Sequence, residues 1–138
     1  MKKIIPLLAF IIILTNSCQK EIPRKLTGYF YTSDSSSNEA QNLLYVDGKL
    51  IGNLPNMNIT ISAFPSLNDT IFKQNALKLE MLSGTHIIEM RSSAGVTLSQ
   101  SETYFKFYKN KESTGVKGSM GGCSLQYDDL VFSFGIYQ

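Results

Sequence analysis

Apolar and aromatic residues alternate with polar ones in short runs along most of the chain, and clusters of Gly, Asn, Asp and Ser separate the runs. After the first 18 residues no segment keeps a helical period over a useful length, so the pattern predicts strands. The first is expected over 27–33, with Tyr29, Phe30 and Tyr31, followed by a loop at 34–38. Residues 43–46 and 49–52 flank Asp47-Gly48, a strong hairpin signal because a type I′ turn needs positive φ at both central residues. That turn would pair Val46 with Lys49 and Leu44 with Ile51. A further strand is expected over 58–64, ended by Pro65.

A second hairpin is predicted around Ser83-Gly84, joining 76–82 to 85–91. Its register sets Met81 opposite His86, Leu79 opposite Ile88 and Leu77 opposite Met90 on one face. Lys78 and Glu89 meet on the other, and pairs of these kinds contribute about 0.2–1 kcal/mol each. Residues 103–109 alternate, with Phe105 and Phe107 on one face and Tyr104, Lys106 and Tyr108 on the other. After a Gly-rich turn at 118–122, Leu130, Phe132, Phe134 and Ile136 make one face of a closing strand. Together these predict an all-β fold, a single antiparallel β-sandwich of Ig-like type over 27–138.

The start of the chain has a different pattern. Lys2 and Lys3 precede an apolar run from Ile4 to Leu14, then polar Thr15, Asn16 and Ser17. This is the layout of a secretion signal, and the run falls short of the ~20 apolar residues that span a bilayer. Residues 1–17 are read as the signal peptide and 18–26 as a tether.

Leu14-Thr15-Asn16-Ser17-Cys18 resembles the lipobox of bacterial lipoproteins, of the looser kind found in the Bacteroidetes. The resemblance implies that Cys18 becomes the first mature residue and carries acyl chains such as palmitate. Cys18-Gln19-Lys20-Glu21 is similar to a signal that sends some of these lipoproteins to the outer face of the outer membrane. Several acyl chains would then fix the protein to the membrane, where one would hold it only marginally.

Loss of Lys2 and Lys3 brings the 13 lysines and arginines level with the 11 aspartates and glutamates. The mature protein has no basic field, so nucleic acid is not an expected partner. With Cys18 acylated, Cys123 has no partner for an intramolecular disulfide, and the fold must rely on burial and strand pairing.

The 44–55 hairpin, with Asp47-Gly48-Lys49 and Gly52-Asn53-Leu54-Pro55, followed by Gly84-Thr85-His86, resembles the PEGA-type β-sandwich over residues 27–91. That resemblance implies a small extracytoplasmic module and carries no catalytic residues.

Candidate chemistry is sparse. His86 is the single histidine, and a Cys123–His86 dyad would need the thiol within hydrogen-bond reach of the ring. The glycines at 118–122 lack the Gly-Lys-Ser/Thr ending of a phosphate loop. Asp128 and Asp129 with Asp34 or Glu102 are conceivable Ca²⁺ ligands, but no spaced acidic loop is present, so no metal or cofactor is expected. Asp69-Thr70-Ile71 resembles the Bacteroidetes O-glycosylation motif and marks Thr70 as a candidate acceptor; Asn58 and Asn68 match the N-glycan pattern. Tyr29, Tyr31, Tyr104 and Tyr108 are candidates for a sheet face that binds glycan or protein. The expected function is a non-enzymatic binding or structural module anchored to the membrane. The alternatives are an immunity lipoprotein that neutralises a toxin and a hydrolase using Cys123 and His86.

Overall fold

The first hairpin forms as its turn residues dictate. In the computed structural model β2 (Asn42–Val46) and β3 (Lys49–Leu54) are joined by Asp47 at φ 52° and Gly48 at φ 77°, both left-handed. Val46 pairs with Lys49 as expected. A bulge between Leu44 and Tyr45 then sets Tyr45 against Leu50 and Leu44 against Gly52, not Ile51. One extra residue on β3 is the cost of the added twist that a bulge brings.

The structure describes residues 19–33, 41–57, 59 and 64–137. The leader, Cys18, the 34–38 loop and most of the strand expected over 58–64 lie outside the described residues. No helix among the described residues is long and apolar enough to cross a membrane.

The remaining elements are β1 (Lys25–Ser33), a short helix α1 (Thr70–Asn75), β4 (Leu77–Leu82), β5 (Gly84–Ser92), β6 (Thr97–Tyr108), β7 (Lys111–Met120), β8 (Gly122–Asp128) and β9 (Val131–Tyr137). One sheet has the order β4-β1-β9-β8 and the other β3-β2-β5-β6-β7. The fold is thus the expected all-β sandwich. Every ladder is antiparallel except β1–β9, which runs parallel from Thr27 against Val131 to Ser33 against Tyr137.

The second predicted hairpin does not form. β4 pairs with β1, setting Leu79 against Gly28, whereas β5 pairs with β2 and β6 in the opposite sheet. Positive φ is found at Gly84 (145°) and not at Ser83, so the I′ turn is not made and the chain crosses between sheets. Leu77, Leu79 and Met81 do pack against the core cluster that contains Ile88 and Met90, but from the opposite sheet and not from a neighbouring strand. The Lys78–Glu89 pair is lost with the hairpin, and Glu89 instead binds Arg91 at 2.7 Å.

Two further departures are local. β1 starts at Lys25 because Leu26 already points inward and is buried. Helix α1 is a single short segment capped by Asp69, whose side chain accepts hydrogen bonds from the backbone N–H of Ile71 and Phe72. Six residues are too few to leave a periodic signal in the sequence.

The core interleaves both inner faces. Phe30, Phe132 and Phe134 from one sheet meet Phe105, Leu44, Ile88 and Met90 from the other, all essentially buried. Phe105 and Phe132 touch across the sheets at 4.5 Å between ring centroids, and Phe132 meets Phe30 edge-on at 5.5 Å. Each such side chain contributes about 1.5–3 kcal/mol through burial.

The strand directions give the sandwich two distinct ends. The start of β1, the 47–48 turn, the 83 crossover, the 109–110 turn and the 129–130 turn share one end, here the lower. The turns at 93–96 and 121 lie at the upper end. Near it, β1 is joined to the chain after β3: Thr32 N–H donates to Pro55 O at 2.9 Å, and Met57 N–H to Thr32 O at 2.9 Å.

Candidate functional site

The outer face of the larger sheet carries a shallow groove. Alternation along β6 turns Phe105 and Phe107 inward and Tyr104, Lys106 and Tyr108 outward. Antiparallel pairing brings Ser113 beside Lys106, Gly115 beside Tyr104 and Lys117 beside Glu102. The groove holds about 540 Å³ and is lined by Thr85, Glu102, Tyr104, Lys106, Tyr108, Ser113, Val116 and Lys117.

Gly115 shapes it. A Cβ there would lie 2.7 Å from the Tyr104 hydroxyl oxygen and 3.0 Å from Cζ, so the ring rests on bare backbone. Charges of both signs edge the rings: Lys117 lies 4.0 Å from Glu102, and Lys106 lies 3.6 Å from Glu21. Tyrosine rings with hydroxyl, carboxylate and ammonium groups between them can stack on a flat apolar patch while hydrogen-bonding its polar edge.

Farther across the same face, the Arg91 guanidinium lies 4.2 Å from the centroid of the Tyr45 ring and donates to Glu89 at 2.7 Å. Arg91 Nε is buried without a hydrogen-bond partner. The sequence reading missed this trio. Its signal was Glu89-x-Arg91, which strand alternation puts on one face.

The other two candidate tyrosines are not part of this face. Tyr29 and Tyr31 point outward from the smaller sheet, where α1 covers them. Phe72 meets Tyr31 edge-on at 5.5 Å and Tyr29 at 6.2 Å. The Tyr31 and Tyr137 hydroxyls lie 3.1 Å apart, and Ser124 Oγ lies 2.9 Å from that of Tyr137. Burial, reinforced by the Tyr137 contact, raises the Tyr31 hydroxyl pKa far above its ordinary range. Tyr31 is therefore structural, while Tyr104 and Tyr108 stay partly open.

Cys123 and His86 sit in opposite sheets. Cys123 packs against the core from β8. Both His86 nitrogens face other acceptors: Nδ1 lies 2.7 Å from Asp47 Oδ2 and Nε2 lies 2.8 Å from Leu82 O. Asp47 Oδ1 also accepts from Ile87 N–H at 2.9 Å, so the ring ties the 47–48 turn to the crossover. The structure does not assemble the dyad.

Of the acidic candidates, Asp34 lies outside the described residues. Asp128 ends β8 opposite Val131, and Asp129 opens the β8–β9 turn at φ 54°. No group of three or more His, Cys, Asp or Glu side chains that could hold a metal ion occurs among the described residues. Nearby Tyr127 donates to Glu112 at 3.5 Å. Burial, then the negative charges of Glu112 and Asp129, push its pKa up to about 12. Thr70 is exposed at the first position of α1, beside the capping Asp69.

Comparison of the chain with protein-family models, with curated proteins and with solved structures returned no match.

Proposed function

We propose that the protein is a membrane-anchored envelope lipoprotein, held by acyl chains on Cys18, whose sandwich binds a glycan or protein ligand through the Tyr104–Tyr108 groove. The observation that carries the reading is the contrast between the two outer sheet faces. Helix α1 closes over Tyr31 and packs against Tyr29 on the smaller sheet, whereas Tyr104 and Tyr108 stay partly open on the larger one and line a groove among charged and hydroxyl groups. The lipobox-like residues 14–18 support the anchor, and the separation of Cys123 from His86 removes the support for a hydrolase built on those two residues.

Binding is tested with the full chain on a glycan array and by affinity capture from its native envelope. Tyr104→Ala and Tyr108→Ala should each lower binding by about 1–3 kcal/mol, the cost of losing a stacked ring, with an unchanged unfolding midpoint. Binding unaltered in the double variant would remove the groove from the site.

Thr70 is the proposed glycan acceptor on the same protein. Intact mass of the native protein should exceed the polypeptide mass, and Thr70→Ala should abolish the excess. Equal masses, apart from the substitution, would overturn the assignment.

A further inference from the structure

Within the segment read as a tether, residues 21–24 are docked on the domain. Ile22 N–H donates to Phe107 O at 2.7 Å, continuing the edge of β6 past the point where β5 begins. Arg24 N–H donates to Ser83 Oγ at 2.9 Å, and Ser83 N–H returns a bond to Arg24 O at 2.7 Å. The Arg24 guanidinium lies 5.8 Å from the centroid of the Phe107 ring, and Glu21 pairs with Lys106 at 3.6 Å. The chain is thus held from Glu21 onward at the lower end of the sandwich. From Cys18 to Glu21 it can span at most about 10 Å, at 3.3–3.6 Å per residue.

Charge divides along the same axis. Exposed Lys20, Lys25, Lys49, Lys109 and Lys111 occupy the lower end. The carboxylates there include Asp47 and Glu21, already engaged by His86 and Lys106, with Glu112, Asp128 and Asp129. The upper-end segments 53–57, 92–96 and 118–122 contain no Asp, Glu, Lys or Arg.

We infer that residues 21–24 act as a strap that holds the lower end of the sandwich against an anionic lipid headgroup layer, with the 92–96 and 118–122 turns directed away from the membrane. The inference rests on the proposed anchor at Cys18. A lysine near an anionic bilayer gains about 1 kcal/mol, so these residues add to the acyl anchor by orienting what it holds. A domain on a free tether would tumble and present both ends equally.

The test uses the full chain, made with its own leader in a lipidating host and carrying Cys123→Ser so that one new thiol can be labelled. Asn110→Cys places a fluorophore in the lower turn and Ala94→Cys places one in the upper turn. Each protein is reconstituted into brominated phosphatidylcholine vesicles with or without phosphatidylglycerol. The label at 110 should be quenched severalfold more than that at 94, and more with phosphatidylglycerol present. Lys106→Glu, which repels Glu21, should bring the two labels closer together in quenching. Lys109→Glu with Lys111→Glu should remove the dependence on phosphatidylglycerol. Absence of an acyl mass on Cys18 would overturn the anchor; an acyl mass with equal quenching at both positions would overturn the strap alone. Quenching independent of phosphatidylglycerol in the parent protein would overturn the role of the lysines.

Discussion

The ring of Tyr31 lies on the bare backbone of Gly135 in the adjacent strand. A Cβ at Gly135 would stand 2.5 Å from both Cζ and the hydroxyl oxygen of Tyr31, and 2.9 Å from Ser124 Oγ. Both neighbours are pinned, Tyr31 by Tyr137 and Phe72, and Ser124 by Tyr137. Gly135→Ala is therefore expected to destabilise the protein by about 1–3 kcal/mol, the usual cost of overpacking. Urea unfolding measures it, and a midpoint equal to that of the parent would show that the cluster yields freely.

Tyr31 and Tyr127 make the fold sensitive to alkali. An ordinary tyrosine ionises near 10, and burial holds both of these protonated beyond that point, with Tyr127 raised to about 12. In the unfolded chain both ionise first. Their contribution is complete below pH 10 and declines as pH rises toward 12. Thermal midpoints should fall across that window, and Tyr127→Phe should flatten the fall. A slope unchanged by the substitution would assign the alkaline loss to other groups.

Glu89 and Arg91 are coupled through partial burial, with side-chain exposures of 11% and 29%. Removing either partner leaves a desolvated charge. Glu89→Ala should cost about 1.5–3 kcal/mol, a range appropriate to hydrogen bonds with charged groups. The Glu89→Ala, Arg91→Ala double variant should cost less than the sum of the singles. Additive costs in a double-mutant cycle would show the pair to be uncoupled.

Legibility followed the range of the interaction. Asp47-Gly48 specifies its own turn through backbone preferences at two residues, so that hairpin was readable, and only the bulge beyond it was not. Leu77, Leu79 and Met81 were correctly assigned to the core because alternation alone decides which face is apolar. Their strand partners were not readable. Apolar faces on β4 and β5 are equally buried whether the strands lie side by side or face each other, so alternation does not choose between the two arrangements. The outward positions of Tyr104 and Tyr108 followed from period-two alternation. The closure over Tyr31 did not, because it depends on α1, whose single capped turn lies far from Tyr31 in sequence.

The parallel pairing of β1 with β9 also bears on the order in which the chain can fold. The smaller sheet has β9 between β1 and β8, so the first and last strands of the fold are direct neighbours. Its interior cannot close until residues 131–137 are present, and long-range pairings of this kind form slowly. A chain emerging from its N-terminus could pair the strands of the larger sheet, all within 42–120, but could not complete the smaller one. Completion of the sheet, and with it the packing of Phe132, Phe134 and Ile136, therefore waits on the last strand of the chain.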